Sequence, residues 1–164
     1  MYFTRREYKD MLIDSLKHCV EEKGLIIYAY VIMSNYFHLI ISKSERGPSF
    51  SDILRDLKKY TAMHLIKAIS ENPEESRKEW ILKMFEKAGR SNSNNTTYQF
   101  WKQDNHPIPL EGDWIDQKMD YIHHNPVVAG WVNEPEEYYY SSARNYAGLE
   151  SPMKIMSIYD GVIC

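Results

Sequence analysis

The chain reads as an α+β domain, a small sheet built from a β-hairpin with amphipathic helices packed on it. Three observations predict this. An apolar stripe at helical spacing opens the chain, and a nearly unbroken apolar, β-branched run follows. Helix-periodic stretches and turn-forming stretches then alternate, with the overall order helix, strand, strand, helix, helix, strand, helix.

Thr4-Arg5-Arg6-Glu7 has the spacing of a capping box. Tyr8, Met11, Leu12, Leu16, Cys19 and Val20 then form one helical stripe, and Gly24 ends it. LIIYAYVIM (25–33) is too rich in β-branched and aromatic residues for a helix of that length and is expected to be a strand. Ser34-Asn35 supplies turn chemistry, and residues 36–42 form the second strand of a hairpin. Both strands are apolar nearly throughout, which predicts cover on both faces. Ser49 or Ser51 opens a helix to about Ser70, with Ile53, Leu54, Leu57, Thr61, Leu65, Ala68 and Ile69 inward. A further helix is expected from Pro73, with Trp80, Ile81, Met84, Phe85 and Ala88 inward. SNSNNTT (91–97) is loop, and Tyr98 to Gln103 reads as a third strand. A last helix runs from Asp113 or Trp114 to Asn125, stopping before Pro126, and the tyrosine-rich tail holds at most a short helix.

The length of 164 residues fits a single domain, residues 1–164, with a tail at 149–164. A net charge of −3 gives no global pull on nucleic acid, so any such binding needs a local basic face. Cys19 and Cys164 are isolated, without a CxxC, as in a reducing, cytoplasmic compartment. No run is long enough to span a membrane and no secretory h-region is visible, so no membrane partner is expected.

SNYFHLII (34–41) places one imidazole, His38, in an apolar run, with Tyr36 two residues earlier on the same strand face. In MDYIHHNP (119–126), Tyr121 and Asn125 are four apart and share a helix face. If that helix lies over the hairpin, Tyr121, Asn125 and His38 converge. A phenol beside an ion held by imidazole and amide oxygen suits phosphoryl transfer, and magnesium or manganese suits such mixed, oxygen-rich sites. The bland alternatives remain: a core histidine, a packed aromatic, and an asparagine that merely caps its helix. Arg55, Lys58 and Lys59 form a basic patch on the helix after the hairpin, to which Arg5 and Arg6 could add. A solvated face and a phosphate-contacting track read equally well there.

VIMSNYFHLII, then FWKQDNHPIPL, then DYIHHNPVVAGWVNEPEEYYYSSARNYAG together resemble the single-tyrosine HUH transposases, whose branches include the REP-associated tyrosine transposases. The resemblance spans roughly residues 4–148. It implies a ferredoxin-like antiparallel sheet with helices on it. It also implies binding of single-stranded or hairpin DNA, and cleavage and rejoining through a 5′-phosphotyrosine. On this basis Tyr121 is the matching nucleophile and His38 and Asn125 the matching ligands of a magnesium or manganese ion. The first histidine of the family's pair is Tyr36 here, a poor ligand while its phenol stays protonated. The family's usual first strand, before the first helix, has no counterpart in the sequence, and a gap of that kind could favour a homodimer. Two rival readings follow: a non-catalytic DNA-binding relic or domesticated regulator, and an unrelated metal-dependent hydrolase using His38 with His123 or His124.

Overall fold

The computed structural model describes residues 3, 5–91, 97–102, 107–159 and 161; Thr4, His106, Cys164 and most of the 91–97 loop fall outside them. The first helix, α1 (Arg6–Lys23), buries Tyr8, Leu12, Ile13, Leu16 and Cys19. Gly24 at φ +66° closes it, its N–H returning to the Cys19 carbonyl. The chain enters β1 (Leu25–Ile32) at once, turns through Ser34-Asn35 with Met33 N–H donating to the Tyr36 carbonyl (2.9 Å), and returns as β2 (Phe37–Lys43).

The antiparallel register sets Ile32 opposite Phe37 and Val31 opposite His38, and it slips between Ile27 and Ala29, leaving Tyr28 without a partner. One extra residue reverses side-chain parity beyond it. Leu25 and Ile27 therefore share a face with Tyr30 and Ile32, while Ala29, Val31 and Met33 take the other. The first face packs on α1 and α2 (Phe50–Glu71), whose Ser49 cap accepts from Asp52 N–H. The second carries α4 (Trp114–Val128) through Met119 and Ile122. The molecule is thus layered: helices, a two-stranded sheet, then α4 with the tail.

Three expectations need correction. α3 spans Lys78–Arg90 and does not begin at Pro73. Residues 73–77 instead form a turn around buried Glu75, which accepts from Arg77 N–H and pairs with Arg5 and Arg77. With this start Ile81, Phe85 and Gly89 face inward, and Trp80 is 59 % exposed. Next, of the strand expected at Tyr98 to Gln103, residues 98–102 are not a strand and Gln103 lies outside the described residues. Their anchors are helical: Gln99 N–H donates to the Phe85 carbonyl, Trp101 Nε1 to Thr61 Oγ1 (2.9 Å), and Phe100 is wedged against Phe3 and Phe85. Finally, α4 runs through Pro126. A proline near a helix end forfeits a single bond, here to the Ile122 carbonyl, and its ring is buried. The true stop is Gly130 at φ +71°, where Trp131 N–H returns to the Pro126 carbonyl and Gly130 N–H to Val127, a Schellman motif.

The outer edge of β1 is taken by the tail. Ile32 N–H donates to Tyr140, Ser142 N–H to Tyr30, Tyr30 N–H to Ser142 Oγ, and Met156 N–H to Ile27. Backbone groups that a further strand would pair are satisfied by this irregular tail, which is interrupted by the short helix α5 (Ala143–Tyr146). Upstream tyrosines clamp it to α1: Tyr140 donates to Asp10, and Lys9 donates to Tyr138 from within a cage of Trp131, Tyr138 and Tyr140 rings. Many of the chain's thirteen tyrosines are packing residues of this sort.

Candidate functional site

α4 crosses the sheet face that carries Val31, Ile40 and His38, because Met119 and Ile122 bury themselves there. Residues 118, 121, 122 and 125 lie at i, i+3, i+4 and i+7, so burying Ile122 swings Lys118, Tyr121 and Asn125 along the side toward β2. Tyr36, at the hairpin exit, and His38 project from the same strand face.

The four expected residues do come together. The His38 and Tyr121 rings lie 5.6 Å apart at 59°, and those of Tyr36 and His38 5.1 Å apart. Tyr36 donates its hydroxyl to Asn125 Oδ1 at 2.8 Å, and Asn125 Nδ2 donates to the Tyr121 carbonyl at 2.6 Å. Asn125 is buried, whereas Tyr121 is 56 % exposed, so the phenol faces solvent over a closed hydrogen-bonded floor. Burial, reinforced by the Lys118 charge, holds the His38 imidazole below its ordinary range, so the ring is neutral near pH 7. Burial and the neighbouring Tyr121 push the Tyr36 phenol up, which keeps it a hydrogen-bond donor.

His123 and His124 divide between a packed and an exposed role. His124 is exposed and meets the Asp120 carbonyl; His123 turns away from the site toward Ser142 and Tyr146. Among the described residues no cluster of three His, Cys, Asp or Glu side chains could hold a metal ion.

Arg55, Lys58 and Lys59 lie on α2, on the layer across the sheet from α4, and the fold does not bring them to Tyr121. Arg55 is held by Asp52 (2.7 Å) and Asp56 (3.1 Å), Lys58 donates to the Lys102 carbonyl, and Lys59 is exposed. Arg5 is bound to Glu74 and Glu75.

Sequence reading missed Lys118. Its ammonium lies 5.6 Å from the centre of the Tyr121 ring, and it makes no ion pair or hydrogen bond among the described residues. The available signal was its spacing, three residues before Tyr121 on one stripe.

No family model matches the chain, and no curated protein matches it. Among solved structures the fold is similar to that of a REP-associated tyrosine transposase bound to a REP hairpin. The TM-score is 0.54 at 21 % identity, over 96 % of this chain and 81 % of that one. At that identity the likeness is one of fold. No helix among the described residues is long and apolar enough to cross a membrane.

Proposed function

We propose that the domain binds single-stranded or hairpin DNA and that Tyr121 breaks and rejoins a phosphodiester in it. The observation that carries this reading is the meeting of Tyr121, His38 and Asn125 across the α4–β2 contact, with the Tyr121 ring open to solvent. In the step, Tyr121 Oη bonds to phosphorus, the P–O3′ bond breaks, and the phenolic proton passes by way of water to the departing 3′ oxygen. The result is a 5′-phosphotyrosine and a free 3′-hydroxyl, and reversal reseals the strand. A neighbour of similar fold that is bound to a REP hairpin supports the choice of substrate.

A magnesium or manganese ion would draw on His38 and Asn125. Their present arrangement does not fit one. Asn125 Oδ1 already accepts from Tyr36, its amide nitrogen is committed to the Tyr121 carbonyl, and a single imidazole remains. With one imidazole and an amide oxygen that already shares its lone pairs with the Tyr36 hydroxyl, dication binding is weak, and no step runs through the ion.

The Tyr36–Asn125 bond also favours a second reading, a DNA-binding relic whose site has closed. A covalent-adduct assay separates the two. Single-stranded and hairpin oligonucleotides labelled at the 3′ end, on the fragment that would stay joined to Tyr121, are incubated with the protein and resolved under denaturing conditions. The enzyme reading expects a labelled protein band that Tyr121→Phe abolishes. Binding without any such band supports the relic.

A further inference from the structure

The α4 face that meets β2 carries a cation with no anion beside it among the described residues. Lys118 is half-buried, it approaches the Tyr121 ring at 5.6 Å, and no carboxylate pairs with it among the described residues. Three basic side chains packed against neighbouring elements contrast with it. Lys23 meets Asp56, Arg5 meets Glu75, and Lys9 is enclosed by aromatic rings and bonded to Tyr138.

The acidic residues of α4 lie on another side. Asp116 accepts from Tyr159, and Asp120 acts on His123, so this i, i+4 pair faces the tail. Lys118, Tyr121 and Asn125 face the hairpin instead. The helix thus separates its own charges and sets the Lys118 ammonium beside a solvent-facing phenol.

We propose that Lys118 holds the phosphate of a bound DNA strand next to the Tyr121 hydroxyl, supplying the positive charge that the closed Tyr36–Asn125 pair denies to a metal ion. The proposal rests on the DNA-processing reading and deepens it by naming the residue that receives the phosphate. An ammonium is a compact point charge on a flexible stem, able to follow a phosphate as charge builds on its oxygens. Three donor hydrogens, with no carboxylate competing for them among the described residues, let it do so.

The test is independent of cleavage. Binding of a fluorescein-labelled oligothymidylate is followed by anisotropy in EDTA, in a Tyr121→Phe background where no covalent step can occur. Lys118→Met is expected to weaken binding about tenfold at low salt and to flatten the dependence of log affinity on log salt by about 0.7, the value for one phosphate contact on a single strand. Lys118→Arg keeps affinity within about threefold, since it preserves the charge. Lys17→Met, on α1 across the sheet, serves as the charge-matched control and leaves the salt slope unchanged. Equal affinity and slope for Lys118→Met and its parent would overturn the proposal. So would a loss equalled by Lys17→Met, or about tenfold tighter binding of the Lys118 protein on adding magnesium chloride. Absence of a Tyr121 adduct in the denaturing assay overturns the cleavage reading and leaves the Lys118 measurement valid. A normal adduct with an unaffected Lys118→Met does the reverse.

Discussion

His123 should make the domain acid-sensitive well above the carboxylate range. It packs between Ser142 and the Tyr146 ring, two residues beyond Tyr121 on the opposite side of α4. Its Nε2 meets Ser142 Oγ at 2.8 Å, and that oxygen in turn accepts from Tyr30 N–H and donates to the Tyr30 carbonyl. The neutral Nε2–H tautomer completes this chain of bonds. A second proton would sit on Nδ1, which has no hydrogen-bond partner among the described residues. Burial, assisted by His124 and partly offset by Asp120, pushes the imidazole from 6.5 down to about 4. Unfolding restores the higher value, so the unfolded chain binds more protons in acid. The contribution of this group is complete above pH 6.5 and is lost progressively as pH falls to about 4. At about 1.4 kcal/mol for each pH unit, the full loss is about 3 kcal/mol, of which about 2 kcal/mol falls between pH 6.5 and 5. Urea unfolding followed by tryptophan fluorescence at several pH values in that window measures it. His123→Gln, which keeps a donor for Ser142 and cannot titrate, should flatten the profile by that amount. A wild-type profile parallel to that of the variant, or an imidazole titrating near 6.5 by NMR, refutes the reasoning.

Tyr36→His frees Asn125 Oδ1 and adds an imidazole two residues from His38; Mn²⁺ should then broaden the His38 resonances at concentrations that leave the wild type sharp. Glu75→Gln removes the carboxylate shared by Arg5 and Arg77 and should cost about 1–3 kcal/mol in urea unfolding. Burial alone would raise the Glu75 carboxyl, but the Arg77 N–H and the two guanidinium groups overcome it and hold it low, so wild type loses this advantage as pH falls below the ordinary carboxylate range. Gly89→Ala brings a Cβ to 2.6 Å from the Thr97 carbonyl oxygen, so the crossing of 97–98 over α3 must shift, at about 1–3 kcal/mol, with a lower melting temperature as the readout.

The helices of the first half, the hairpin and its turn, and the shared faces of Tyr36 with His38 and of Tyr121 with Asn125 were legible because each depends on neighbours within about a turn of helix or two residues of strand. The same logic failed where a local signal met a stronger tertiary one. Pro126 is a stop and Pro73 a start by rule, yet a Schellman closure at Gly130 carries one helix past its proline, and the turn around buried Glu75 delays the start of the other to Lys78. Residues 98–102 have strand composition, but the rings of Phe100 and Trp101 find their partners on α2 and α3, and the backbone follows them.

By itself the sequence determined which side chains share a face and therefore which pairs could act together. Only the folded chain decided that α4 lies on the His38 face, that the tail covers the open edge of β1, that Arg55 spends its charge on two aspartates, and that Lys118 meets no carboxylate among the described residues. The bond that closes the site joins Tyr36 to Asn125 across 89 residues of chain. Periodicity ends within an element. Contact over that distance is set by how apolar faces of separate elements choose to bury one another, and no local pattern encodes that choice.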